Sequence, residues 1–260
     1  MQKWIVDSTK IAAQGKEVHP WIKPGPPVEP KKSGFCGGLF NGMIAPLIPY
    51  AMKGVIWYQG EQDHLKSKQY QTLFPTMIAD WRNQWNMGDF PFLFVQIAPY
   101  KGMNQGIREA QLLTLKNTVN TAMVVTTDCG DSADIHPTNK VVVGERLALA
   151  ARALAYKEKV IYSGPLYSSS KVVVNTIEIT FDHVHKGLVA KGSELTDFVI
   201  AGADKQFVPA KAIIKKGKVI VTSEKVPNPV AARMGWKDVP HVNLYNTDGL
   251  PASPFRTDDW

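Results

Sequence analysis

The chain has 260 residues, 44% hydrophobic and 20% charged, which gives it the apolar content of one large or two ordinary globular domains and excludes a disordered or fibrous class. Its formal charge of +7 comes from scattered lysines, clustered only at Lys31-Lys32 and Lys215-Lys216; without a basic helix or an aromatic-basic stripe, no nucleic-acid partner is expected. Cys36 and Cys129 are too few for a disulfide framework and read as two free buried thiols, with a single bridge between them as the alternative; the start MQKWIVDSTK holds no apolar stretch of signal-peptide length, and no apolar run reaches the roughly 18 residues of a membrane span, so no membrane partner is expected either.

Pro20, Pro24, Pro26, Pro27 and Pro30 crowd the stretch from His19 to Lys32. Each fixes φ and removes a backbone donor, so residues 1–35 read as an extended segment. Three apolar runs follow: Val55 to Tyr58, Phe90 to Ala98, and Met123 to Thr127. None alternates with polar residues, which suits strands covered on both faces, as in a parallel sheet. Between the first two, Tyr70, Phe74, Met77, Ile78, Trp81 and Trp85 recur every three or four residues. That spacing predicts a helix, with Pro75 as its start or a kink. Ile107 to Asn117 reads as a shorter helix. Val143, Leu147, Ala150, Ala151 and Leu154 predict another after Pro137. Strand and helix alternate as in a doubly wound α/β domain, placed at 36–158.

From 159 to 260 the pattern changes to short stretches rich in β-branched residues, at 172–181, 197–203 and 210–223. Lys216-Gly217 reads as a hairpin turn between two alternating runs. A small all-β module is expected.

Ligands of a parallel α/β sheet meet the carboxyl ends of its strands. The first apolar run ends in Gln59-Gly60-Glu61, the third in Asp128-Cys129-Gly130-Asp131-Ser132-Ala133-Asp134-Ile135-His136-Pro137. The two loops are expected to emerge side by side from neighbouring strands. A histidine just ahead of a helix suits a general base for a serine nucleophile. A nearby carboxylate would fix its tautomer. An amide such as Gln59 would donate to a developing oxyanion, an interaction typically worth about 3–4 kcal/mol.

Gly38 to Asp63 (GLFNGMIAPLIPYAMKGVIWYQGEQD), Asp134 to Lys140 (DIHPTNK), and the stretches FVIAGAD and NLYNTDGLPASPFRTD resemble sialate O-acetylesterases, carbohydrate esterases of the SGNH (GDSL-type) hydrolase superfamily. The likeness runs from about Phe35 to Thr257. It implies a partial SGNH-type three-layer α/β domain with a parallel sheet, followed by the β module. It also implies hydrolysis of O-acetyl esters on sialic acid or related sugars by a Ser-His-Asp mechanism, with no cofactor or metal. By position, His136 corresponds to the base and Gln59 to the oxyanion amide, Gly60 belongs to the same oxyanion and substrate-binding segment, and Glu61 orders the pocket. The superfamily's aspartate usually stands three residues before the histidine, where this chain has Ala133. Asp134 is therefore the first choice to orient His136, with Asp131 as the alternative.

The family's GQSN-like nucleophile motif has no counterpart here. Ser8 and Ser33 lack its strand, elbow and helix context, and Ser132 shares the loop of the base. The resemblance thus implies the C-terminal portion of an esterase. Its partners would be an acetylated carbohydrate and an N-terminal portion supplied separately; the alternative is an inactive carbohydrate-binding or scaffolding fragment. The family implies a periplasmic, secreted or lysosomal setting. A sheet without its first strands would expose apolar edge and face, so the isolated chain is expected to be marginally stable or to aggregate, against which monodisperse, cooperatively unfolding protein would stand.

Several other residues invite a simpler reading. Asp182, His183 and His185 have metal-like spacing but are expected as surface strand residues. Trp81 and Trp85 are core, and Trp57 and Tyr58 either core or a sugar-facing wall. Asp63 suits a helix cap. Arg108-Glu109 reads as a solvated pair, and Arg233 and Arg256 as ion-pairing links between module and α/β part.

Overall fold

The apolar runs form a parallel sheet in the computed structural model, which describes residues 13–14 and 37–260. β1 (Val55–Trp57), β2 (Phe92–Val95) and β3 (Thr121–Val124) lie in the order β1-β2-β3. All of β2 and β3 is buried, as strands covered on both faces must be. β1 is less covered, and Ile56 is 67% exposed. The helices are α1 (Ser67–Trp85), α2 (Gly106–Asn117) and α3 (Val141–Leu154). Pro75 lies inside α1 rather than at its start, because a 3-10 turn, Glu61–Lys66, leads straight into Ser67.

Strand alternation sorts the layers. Phe92 and Phe94 point to one face, where their rings meet Phe74 of α1. Trp57, half-buried, joins them against Phe74 and Trp81 on the α1 side of the sheet. Leu93 and Ala122 point to the other face and pack with Ala150 of α3. The result is helix, sheet, helix.

After α3 the chain becomes antiparallel. The strands are β4 (Leu166–Val173), β5 (Thr176–Asp182), β6 (Leu188–Ala190), β7 (Phe198–Ala201), β8 (Phe207–Pro209), β9 (Lys211–Lys215), β10 (Lys218–Thr222), β11 (Ala231–Met234), β12 (Leu244–Asn246) and β13 (Phe255–Arg256). They form sheets β4-β5-β10-β9 and β13-β11-β7-β8, plus the pair β12-β6. Ile177, Ile179, Val219 and Val221 of the first sheet share one core with Phe198, Ile200, Ala232 and Met234 of the second. Lys216 (φ 49°) and Gly217 (φ 75°) make the expected β9-β10 turn. The stretch 172–181 also contains a turn: Val174, at φ 55° and 86% exposed, separates β4 from β5. A valine in the left-handed region gives no turn signal in sequence.

The seam between the two parts is polar and buried. Arg108 of α2 is 1% exposed, which corrects the solvated-pair expectation. Its Nε donates to Ile97 O (2.8 Å), and its Nη2 donates to Ala98 O (3.0 Å) and to Asp238 O (2.8 Å). Its Nη1 donates to Lys237 O (2.9 Å). Burial pushes the guanidinium pKa down to about 10. Glu109 instead pairs in bidentate fashion with Arg256 of β13, at 2.5 and 3.0 Å. Arg256 thus links the parts as expected. Arg233 does not; it pairs with Asp258 within the module. Gln96 at the end of β2 donates to Ser253 Oγ (2.9 Å).

Residues Met52–Trp260 form one unit and Met1–Ala51 another. In the latter, a π-helical turn, Phe40–Ile44, precedes a 3-10 turn, Ala45–Leu47. The proline-rich stretch, Ser8, Ser33 and Cys36 lie outside the described residues.

Arg108→Met leaves four carbonyl groups at the seam without their donor. Calorimetry is expected to show a loss of about 3 kcal/mol or more. Arg108→Lys should recover only part, because an ammonium cannot fork to two segments at once. A methionine variant as stable as the parent would show that the seam does not depend on this residue.

Candidate active site

The end of β1 is locked to the end of β2 by Gln111 of α2, which is fully buried. Its Nε2 donates to Val95 O (3.1 Å) and Gln59 O (3.3 Å), and its Oε1 accepts from Ile97 N (2.9 Å). Gly60 turns the chain at φ 142°, where a Cβ would press on Ile97 and Gln111 at 3.3–3.4 Å. The Gln59 amide is held at both ends. Its Nε2 donates to Asp63 Oδ2 (2.7 Å), and its Oε1 accepts from Tyr70 Oη (3.0 Å). Asp63 therefore orients Gln59 and does not cap α1, which makes no side-chain cap bond. Glu61, half-buried, opens the 3-10 turn. Next to it, burial pushes the Tyr58 hydroxyl up to about 12, with the charges of Glu61 and Cys129 adding to the effect.

The end of β3 carries the second cluster. Thr126 Oγ1 donates to Gln96 O (2.6 Å). Asp128 then turns inward and accepts two hydrogen bonds from Arg146 of α3, both 2.7 Å. Arg146 also donates to Val125 O (2.7 Å), and Tyr245 of β12 donates to Asp128 Oδ2 (3.2 Å). Burial alone would raise the Asp128 pKa; the hydrogen bonds and charge of Arg146 outweigh it, and the carboxyl sits below its ordinary value. Gly130 follows, where a Cβ would collide with the backbone of Pro99 at 2.8 and 2.9 Å. The loop therefore lies directly on the segment after β2, where Lys101 N donates to Ser132 O (3.0 Å).

Two aspartate turns complete the loop. Asp131 Oδ1 accepts from Ala133 N, and Asp134 Oδ1 from His136 N, each at 2.8 Å. The His136 ring is 91% exposed, with Nδ1 3.8 Å from Asp134 Oδ1. That is ion-pair distance, beyond a hydrogen bond. Both candidate carboxylates accept from backbone, and Asp134 is the one that also lies on the Nδ1 side of the ring. Buried Pro137 anchors the loop before α3.

The two clusters do not rise from neighbouring strands. β2 stands between β1 and β3, which corrects the sequence expectation. Two strand spacings separate them by about 10 Å. The gap is spanned from above, since Lys140 Nζ at the start of α3 sits 4.7 Å from the Tyr58 ring centroid.

Asp128, Arg146 and Tyr245 were not singled out from sequence. Arg146 did leave a trace, a charged residue on the apolar stripe of Val143, Leu147 and Ala150; Tyr245, about a hundred residues away, left none. His183 and His185 lie just after β5, not within it, and His185 Nδ1 meets Asp248 Oδ2 at 2.7 Å. No group of three or more metal-binding side chains occurs among the described residues. Cys129 is a half-buried free thiol whose pKa burial raises, the opposite of an activated nucleophile.

A family model described as "Carbohydrate esterase, sialic acid-specific acetylesterase" matches residues 10–153. Sialate O-acetylesterase from Rattus norvegicus is 30% identical, the match covering 84% of this chain and 46% of that protein. Its counterpart from Homo sapiens is 33% identical, with coverages of 84% and 48%. The crystal structure of a novel carbohydrate acetylesterase from Xanthomonas citri superposes with a TM-score of 0.82 at 43% identity, over 85% of this chain and 54% of that one. The chain thus spans about half the length of the relatives it matches.

Asp128 gives a pH signature. Its folded pKa lies below the unfolded value, so its contribution is fully present above the ordinary carboxylate range and is lost as pH falls through the folded value. Asp128→Asn should cost about 3 kcal/mol at pH 7, since it leaves Arg146 buried without its counter-charge. In urea titrations the difference from the parent should shrink as pH is lowered below about 4. A difference independent of pH would show that the pair is not the anchor.

Proposed function

The chain belongs to the carbohydrate esterase family of sialic acid-specific acetylesterases, and from that premise we propose that it carries the base and oxyanion side of an acetylesterase site acting on O-acetyl esters of sialic acid or related sugars. The observation that supports this most is the anchored loop that presents an exposed His136 with Asp134 on its Nδ1 side, at the same sheet end as Gln59.

In this reading a serine from sequence outside the described residues attacks the acetyl carbonyl. It comes from the N-terminal portion of the enzyme, in the same polypeptide or as a separate chain. His136 Nε2 takes the serine proton and returns it to the departing sugar oxygen. Asp134 closes from 3.8 Å to a hydrogen bond on Nδ1–H and holds the imidazolium, as such contacts tighten when substrate is present. Gln59 uses one amide hydrogen on Asp63 and has its second for the oxyanion. Water activated by His136 then releases acetate and frees the serine.

A second reading is a non-catalytic carbohydrate-binding or scaffolding fragment. It draws support from the open His136–Asp134 distance and the exposed imidazole.

Aryl-acetate hydrolysis, measured for the chain alone and for the chain co-expressed with the N-terminal half of a relative, separates the two. Turnover should fall about 10⁶-fold in His136→Ala and about 10²–10³-fold in Gln59→Ala. Asp134→Asn should cost more than Asp131→Asn, and a serine-directed inhibitor should label the nucleophile. Turnover indifferent to His136 would exclude the proposed base. Sugar binding with no turnover in either format would favour the fragment.

A further inference from the structure

A groove of about 420 Å³ opens on the module side of the base loop. One wall is Thr127 to Ser132; the other is the loop Val239 to Val242, which belongs to the β module. The volume lies within the usual range of small-ligand sites, about 300–1,000 Å³.

The chemistry of its walls is selective. Pro99 and Pro240 border the groove, though both are buried and show it only a small part of their rings. Thr127 is 6% exposed, and its Oγ1 has no hydrogen-bond partner in the protein. Ser132 adds an exposed hydroxyl. His241 is held by its backbone, whose N–H donates to Asp197 and whose carbonyl accepts from Thr196, while the residue itself is exposed. Neither Lys nor Arg lines the groove. Its acid, Asp128, is already neutralised by Arg146. A carboxylate seated here would lose water and gain no cation, a costly exchange. A polyhydroxylated ring would find the exposed Ser132 hydroxyl and His241 imidazole as partners without needing a counter-charge.

We propose that this groove is a subsite for a neutral saccharide ring of the substrate glycan, and that it does not accommodate the carboxylate-bearing ring of sialic acid. Resting on the esterase reading, the proposal assigns the groove to the sugar next to the acetylated one, because the loop that forms its wall ends at His136. The β module then takes part in substrate choice through Pro240 and His241.

The test is direct binding, read by amide NMR on the intact chain without reference to turnover. The probes are methyl β-glucopyranoside and a neutral tetrasaccharide, against the methyl glycoside of N-acetylneuraminic acid. The neutral probes should shift Thr127 to Ser132 and Val239 to Val242, and the sialoside should not. His241→Ala should weaken neutral-sugar binding about five-fold, the worth of one hydrogen bond, with its thermal stability unchanged. Ser132→Phe should block the groove. Neutral probes that shift neither segment, or a sialoside that binds there as well as they do, would overturn the proposal. Aryl-acetate turnover, followed in parallel, is an independent readout. Its absence alongside intact neutral-sugar binding would remove the esterase reading and leave the groove as a sugar site.

Discussion

The site geometry depends on one ion pair, the partly buried Asp128 with the buried Arg146. The loop after β3 has little regular structure from Asp128 to Lys140, yet it carries His136 and lies close on the segment after β2. Two bonds of 2.7 Å tie its first residue to α3, and a third from Arg146 reaches the Val125 carbonyl. The guanidinium thus fixes strand end, loop and helix to one another. A planar fork that cannot lose its proton suits this task; a lysine would satisfy one direction at a time.

The same device recurs on each helix of the α/β part. Arg82 of α1 is buried at the opposite end of the sheet, where it donates to the carbonyls of Phe90, Val119 and Asn120 ahead of β2 and β3. Arg108 of α2 does the same after β2 and adds the carbonyls of Lys237 and Asp238. Strand ends leave backbone acceptors in places where water is scarce. Three arginines answer them, at the ends of strands that span only three or four residues.

These arginines also mark the limit of what the sequence discloses. Periodicity located α1, α2 and α3 and the three parallel strands, because apolar burial repeats at fixed intervals. It treats arginine as polar, so Arg108 read as solvated although its surroundings are carbonyls contributed by residues up to 130 positions away. Local pattern drew notice to Gln59 and His136 and the family resemblance to Asp134, whereas the strand order that sets β2 between the two loops is a tertiary fact. Val174 was silent for a different reason. Its backbone conformation is imposed by the pairing of β4 with β5 on either side, not by its own preference.

Tyr245 has a consequence for how such proteins can be recombined. It belongs to β12, and its hydroxyl reaches across the seam to the Asp128 carboxylate, which anchors the loop of His136. Exchanging the β portion between cousins would therefore separate two groups that must match in reach and chemistry. Chimeras should tolerate a junction only when the tyrosine and the aspartate travel together, so the inheritable unit is larger than either layer of the architecture.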